Sequence, residues 1–308
     1  MRRMSTAFAA TWAASLSTTT ASSGTKRILV TGTNAKGIGG ETCLGLVRAY
    51  PDLELYLCAR DERKAEEVAT AARRIGSPQI HIVPLDLSSL ESTRKCARLV
   101  QDNLGDKKLD VAIMNAGVMA CPLNYTDDNV EYQYGVNHLA HALLWLSLQN
   151  YVERSVFVSS LAVSISSGRK SPPLTAEKLK DNILEADYGR WKAYGDSKLA
   201  MSMFTRGLAL AGNDAVSLHP GVVNTELQRF ILPKALVKQG SGPLAQFLGL
   251  VASKVFQLKT PSEGAENSLR LATGAPGSYE KGALYIDKTK KAPKFTCLLY
   301  TSPSPRDA

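Results

Sequence analysis

Acid is scarce at the amino end of this chain: no Asp or Glu precedes Glu41, whereas Arg2, Arg3, Lys26 and Arg27 all do. Those four cations account for +4 of the formal +9. The +5 left for the other residues is too mild an excess to indicate a nucleic-acid partner. No Cys-x-x-Cys pair occurs among Cys43, Cys58, Cys96, Cys121 and Cys297, and their odd number and scatter through apolar segments point to reduced, buried thiols rather than a disulfide framework. Histidine is limited to four residues. His138 and His141 are spaced i, i+3, but no third ligand accompanies them, so no metal site is expected. Repeats, tracts of like charge and long apolar runs are also missing. The longest uncharged stretch of the core, 132–152, is broken by Gln133, Gly135, Asn137, His138 and His141, and it reads as a buried helix rather than a membrane span.

The two ends read as separate from the fold. Residues 1–25 hold five Ser and six Thr, two Arg and no acid, which is the composition of an organellar transit peptide. The Ser/Thr richness favours the plastid, and the apolar stripe Met4, Phe8, Trp12, Leu16 favours the mitochondrion; the plastid is the preferred reading. Residues 297–308 back-translate to a string resembling a transposase-type sequencing adapter read in frame, so they are expected to lie outside the natural fold. That leaves 26–296 as one domain.

Within it, apolar runs alternate with helical patterns. Strands are predicted at 27–31, 53–59, 79–83, 109–114, 155–159, 215–219 and 283–287. Helices are predicted over 37–50 and 61–75, after the capping box Ser88-x-x-Glu91, within 130–151, over 191–211, and after Thr260-Pro261-Ser262-Glu263. The pair Asp127-Asp128 is expected to cap the helix that follows it. Strands with helical crossovers make a single doubly wound α/β domain with a parallel sheet of about seven strands, whose ligands bind at the carboxyl ends of the strands.

The first strand runs into Thr31-Gly32-Thr33-Asn34-Ala35-Lys36-Gly37-Ile38-Gly39-Gly40 and then a helix. Such glycines let backbone N–H groups and a helix N-terminus approach a pyrophosphate, which predicts a dinucleotide site. The second strand ends in Arg60 with no acid to take a ribose 2′-hydroxyl, and Lys36 sits in the glycine loop, so NADP(H) is preferred to NAD(H). Asp61 reads as a helix cap, and His219, before Pro220-Gly221, as a turn residue. Tyr194 and Lys198 stand one helical turn apart on one face, and the ammonium, with the positively charged nicotinamide ring of an oxidised cofactor, would lower the phenol pKa and make it a usable acid or base.

These pieces together resemble the short-chain dehydrogenase/reductase family over essentially all of 26–287. The matching motifs are the glycine loop, Asp86-Leu87, Asn115-Ala116-Gly117, Asn137 in Gly-Val-Asn-His, Val158-Ser159-Ser160, Tyr194-x-x-x-Lys198 and His219-Pro220-Gly221 with Val223 and Thr225. The resemblance implies a Rossmann-type fold in which Tyr194 is the acid or base, Lys198 holds the nicotinamide ribose, Ser160 bonds the substrate oxygen and Asn137 anchors a relay water. It further implies that Gly32, Gly37, Ile38 and Gly39 lie on the cofactor phosphates or ribose, Asp86 and Leu87 on the adenine, Asn115 on the adenosine ribose and Thr225 on the nicotinamide side. Asn34, Lys36, Arg60, Ala116, Gly117, Pro220, Gly221 and Val223 are further expected cofactor contacts.

Within the family the chain is most similar to the retinol-dehydrogenase-like, NADP(H)-preferring branch, through Cys58-Ala-Arg-Asp61, 115–122, 135–141, Ser197-Lys-Leu-Ala200 and 260–265. That branch includes a dehydrogenase of the chloroplast envelope import machinery and lies near protochlorophyllide reductase, so a redox-sensing module and a protochlorophyllide-reductase-like enzyme stand as alternatives. Three details depart from the family pattern. The loop has four residues between Gly32 and Gly37 instead of three, Met114 replaces the usual Asn, and 34 positions separate Ser160 from Tyr194, with Arg169–Pro173 inside them. Ser159 is the fallback for Ser160, although strand alternation turns it to the other face. Finally, 225–260 carries five Lys or Arg against one Glu, interleaved with apolar residues. This is expected to be a lid for a lipophilic small-molecule substrate with possible peripheral membrane contact, or a helical lid packed on its own domain. Oligomeric state has no sequence signature here.

Overall fold

Seven strands form one sheet in the order β3-β2-β1-β4-β5-β6-β7, every pair parallel. They are β1 (Arg27–Thr31), β2 (Glu54–Ala59), β3 (Gln79–Pro84), β4 (Leu109–Met114), β5 (Val152–Val158), β6 (Asp214–Leu218) and β7 (Leu284–Tyr285). The computed structural model describes residues 24–167, 188–225 and 258–286, together with Lys291. The leader, the Arg169–Pro173 insertion, most of the 225–260 lid and the adapter-like segment therefore lie outside the described residues.

Strand alternation sends successive side chains to opposite faces, and both faces are covered. Ile28, Val30, Leu55, Leu57, Ile113 and Val156 pack under α1 (Ile38–Ala49), α2 (Glu62–Arg73) and α7 (Pro261–Thr273). Leu29, Tyr56, Ala112, Met114 and Phe157 pack under α3 (Leu90–Leu104), α4 (Ala140–Leu148) and α6 (Arg190–Leu210). A short helix, α5 (Val163–Ser167), lies between β5 and α6. No described helix is long and apolar enough to cross a membrane. Cys43, Cys58, Cys96 and Cys121 are free thiols and buried, as expected.

The helix starts show where local chemistry decided the outcome. Asp61 caps α2, accepting from Arg63 N and Lys64 N, and Thr260 with Glu263 completes the capping box of α7. The expected box at Ser88 is corrected: Ser89 is the N-cap of α3, because Asp86 accepts both the N–H and the hydroxyl of Ser88, at 2.9 and 2.7 Å. Asp128 also departs from expectation. Its carboxylate accepts from Leu90 N at 2.8 Å and so caps α3 from a distance, while Glu131 caps the turn after it. The predicted helix within 130–151 is broken into a turn (Tyr132–Tyr134), a π-helical turn (Gly135–Leu139), α4 and a 3-10 turn (Gln149–Tyr151). Among the described residues of the last predicted strand, Leu284 and Tyr285 pair with β6.

One buried cation holds the far edge of the sheet. Arg154 Nε lies 3.1 Å from Asp214 Oδ2, and its Nη1 donates to the Gly274 carbonyl at 2.6 Å and to Leu271 and Ala272 at 3.4 Å, ending α7. Arg154→Ala strips these carbonyls and Asp214 of that cation, so a loss of about 3–5 kcal/mol is expected, read as a lower urea midpoint at unchanged slope. A midpoint equal to that of the unsubstituted protein would contradict this assignment.

Candidate active site

A cleft opens at the carboxyl ends of β1, β2, β4 and β5. Its floor is the glycine loop. Gly32 has φ +72°, and a Cβ there would stand 2.8 Å from Ala116 Cα; a Cβ on Gly39 would stand 2.4 Å from the Gly32 carbonyl oxygen and 2.6 Å from Asn115 Nδ2. The extra residue of the loop is absorbed over Asn34, whose carbonyl accepts from Gly37 N at 2.9 Å and whose side chain accepts from Lys36 N at 3.1 Å. Helix α1 then begins at Gly37 with no side-chain cap, leaving its first N–H groups available to an anion. Asn115 Nδ2 donates to the Thr31 carbonyl at 2.8 Å, locking β4 to β1 beneath the loop.

Arg60, Asp61, Lys64, Asp86 and Leu87 line one end of the cleft beside Lys36. Asp61 caps α2 and Asp86 holds Ser88, each through Oδ1. Lys64, one helical turn beyond Arg60, was not singled out from the sequence, and its i+4 spacing was the available signal.

At the other end stand Tyr194 and Lys198, both buried on one face of α6. Burial pushes the phenol up to about 12, and the hydrogen-bonded Ser160 hydroxyl pulls it down. Burial lowers the Lys198 ammonium to about 8. Lys198 Nζ lies 5.9 Å from the Tyr194 ring centroid and donates to the Val158 carbonyl at 2.9 Å. In the protein without cofactor burial dominates the phenol, whereas the lowering expected from the sequence counts the positive nicotinamide ring of a bound oxidised cofactor together with Lys198.

The two serines follow the end of β5 and take different partners. Ser159 lines the cleft, and its Oγ donates to the Lys198 carbonyl at 2.9 Å and pairs with Ser202, while Ser160 meets Tyr194 from outside the cleft lining. His219 Nδ1 accepts from Leu161 N at 3.3 Å, bracing the turn after Ser160.

Asn137 sits behind this face in the π turn. Its side chain accepts from Val118 N at 2.8 Å and donates to the Val118 carbonyl and Ser197 Oγ at 2.9 Å, while its carbonyl meets His141 Nδ1 at 3.2 Å. A Cβ on Gly117 would stand 3.1 Å from Asn137 Oδ1 and 3.4 Å from Lys198 Nζ, so these three residues meet without room for a larger one. His141 Nε2 lies 3.0 Å from Thr31 Oγ1, which already accepts from Asn115 N and Ala116 N. The Thr31 hydroxyl is therefore the donor, leaving Nδ1–H for Asn137; burial holds this imidazole neutral, lowered to about 3. No cluster of metal-binding residues occurs among the described residues.

Gly32, Asn34, Lys36, Gly37, Ile38, Gly39, Arg60, Asp86, Leu87, Asn115, Ala116, Gly117, Tyr194, Lys198, Pro220 and Thr225 all line the cleft. Gly221 turns at φ +92° against the Lys259 side chain, and Val223 pairs with Lys259 and packs on Gly264, so both support the rim from behind. Tyr132 and Val136 also line the cleft, brought in by turns that carry no periodic signal.

A family model described as short chain dehydrogenase matches residues 26–169. The chain is 36% identical over 278 residues to human retinol dehydrogenase 14, covering 82% of this chain and 77% of that protein. It is 37% identical over 260 residues to human retinol dehydrogenase 11, covering 80% and 72%. The NADPH-bound carbonyl reductase from chicken fatty liver has the same fold, with a TM-score of 0.59 and 23% identity over 85% of this chain and 96% of that one.

Proposed function

The chain belongs to the short-chain dehydrogenase/reductase family, and from that premise we propose that it is an NADP(H)-dependent oxidoreductase interconverting a carbonyl and an alcohol on a lipophilic small molecule. The observation that carries the reading is the buried group of Tyr194, Ser160 and Lys198 beside a cleft floored by glycine. A nicotinamide cofactor bound there supplies or accepts the hydride.

The residues present fit such a group. Thr33 Oγ1 is buried in the cleft wall and meets no partner among the described residues, and the uncapped start of α1 offers N–H donors to a pyrophosphate. Arg60, Lys36 and Lys64 would take a ribose 2′-phosphate, because all three cations line the same cleft. Ser160 would hold the substrate oxygen, and Lys198 would bond the nicotinamide ribose and pass protons toward Asn137. Because burial raises the Tyr194 pKa, the phenol stays protonated at neutral pH, which suits an acid delivering a proton to the oxygen in carbonyl reduction. The similarity to proteins named retinol dehydrogenases supports an aldehyde, ketone or retinoid substrate. The Ser/Thr-rich leader supports a plastid destination, and the basic, apolar 225–260 segment supports contact with a membrane surface.

Cofactor choice is tested by titrating NADPH and NADH against the full chain and its Arg60→Ala variant, following protein fluorescence. Losing one charge-assisted contact of about 1.5–3 kcal/mol predicts a ~10–100-fold weaker NADPH complex with NADH little changed. An NADPH-to-NADH ratio near one in the unsubstituted protein would overturn the NADP(H) assignment.

A further inference from the structure

Beyond the reacting groups, one buried polar network ties together the two segments that carry them. Glu131 Oε1 accepts from Gln133 N at 3.0 Å, and its Oε2 accepts from Tyr134 N at 2.7 Å. Oε1 also accepts from the Tyr188 hydroxyl at 2.6 Å, although Tyr188 lies 57 residues further along the chain. Gln133, fully buried, donates through Nε2 to the same Tyr188 oxygen at 2.8 Å and to the Arg190 carbonyl at 3.0 Å.

Arg190 is the first residue of α6, and Tyr194 follows four positions later. The Arg190 carbonyl is thus the one an α-helix directs at the Tyr194 N–H. Helix α6 begins at Gly189 with no side-chain cap, so the contact from Gln133 anchors a helix start that its own sequence leaves unanchored. The same residues lead straight into the π turn, where Asn137 grips Ser197 one position before Lys198. Tyr194 and Lys198 are therefore held from two sides by a segment that precedes them by about sixty residues. Burying a carboxylate is costly unless its oxygens are filled, and here three donors fill them.

We propose that Glu131, Gln133 and Tyr188 form a latch that fixes the first turn of α6, making them positioning residues that set Tyr194 against Ser160 and the substrate oxygen. The proposal rests on the oxidoreductase reading above. Its energetic logic is geometric: a displacement of about 1 Å at the reacting atoms costs on the order of 100-fold in rate, while the phosphates and adenosine of the cofactor, which would supply most of its contacts, lie on β1, β2 and β4 at the other end of the cleft.

Two variants of the full chain test it, Tyr188→Phe and Gln133→Leu, each measured for kcat and KM with a medium-chain aldehyde, NADPH affinity, thermal midpoint and amide hydrogen exchange. The latch predicts a ~10–100-fold fall in kcat with NADPH affinity within about twofold. It also predicts faster exchange confined to the start of α6, and a double variant no worse than the weaker single one, since both act through one contact set. Unchanged kcat in either variant overturns the latch. So does a joint loss of kcat, NADPH affinity and thermal midpoint, which marks a purely structural network. Absence of turnover in the unsubstituted chain would instead remove the oxidoreductase reading and the latch with it, whereas native turnover with unimpaired variants removes the latch alone.

Discussion

Tyr194→Phe is expected to lower kcat for carbonyl reduction by ~10²–10⁴-fold while leaving NADPH affinity nearly intact. The substitution removes one hydroxyl and keeps the ring. The ring is buried and packs edge-on against Trp191 with centroids 6.1 Å apart, so the fold loses little. What disappears is the phenol proton beside Ser160. Lys198 does not replace it, because its Nζ lies on the ring side, 5.9 Å from the Tyr194 centroid, and bonds the Val158 carbonyl. Steady-state kinetics with NADPH titrations on the same preparations separate the two quantities; a kcat within about threefold of the unsubstituted protein would mean that another group handles the proton.

The second large effect concerns the floor of the cleft. Gly39→Ala is expected to abolish usable NADPH binding, with affinity down ~100-fold or more, because the added methyl meets the Gly32 carbonyl and Asn115 at 2.4 and 2.6 Å. Both obstacles are tied down: Gly32 N donates to the Cys58 carbonyl at 2.8 Å, and Asn115 is bonded to Thr31. Relief therefore requires β1, β4 or the start of α1 to move, and all three shape the phosphate end. Gly37→Ala is the internal comparison. Its Cβ would lie 3.4 Å from the Asn34 carbonyl and its φ of −119° suits any residue, so only a few-fold change is expected. Fluorescence titration with NADPH reads both, and circular dichroism confirms that each variant is folded. Equal affinity in the two variants would contradict the tight-floor account.

Much of this architecture was legible in the residues themselves. Runs such as Ile28–Thr31 and Leu55–Ala59 announce strands buried on both faces, and the glycine loop between the first of them and α1 marks where a phosphate belongs. Tyr194 and Lys198 were visible through helical spacing. What stayed hidden was polar and long-range. Asp128 capping α3, and Tyr188 bonding Glu131, join residues 38 and 57 positions apart, and no periodicity records such pairs. The π turn was equally silent, since the bonds of Asn137 within it to Val118 and Ser197 leave no periodic mark. The burial that raises the Tyr194 phenol in the protein without cofactor was likewise hidden, because spacing shows a neighbouring ammonium but not depth.

The most direct test of the central claim is NADPH oxidation by the full chain against retinal, medium-chain aldehydes and quinones, with Tyr194→Phe assayed alongside. Turnover on at least one carbonyl, faster with NADPH than with NADH and lost in the variant while NADPH still binds, is the predicted result. Tight NADPH binding with no carbonyl turned over, or no NADPH binding at all, would contradict it.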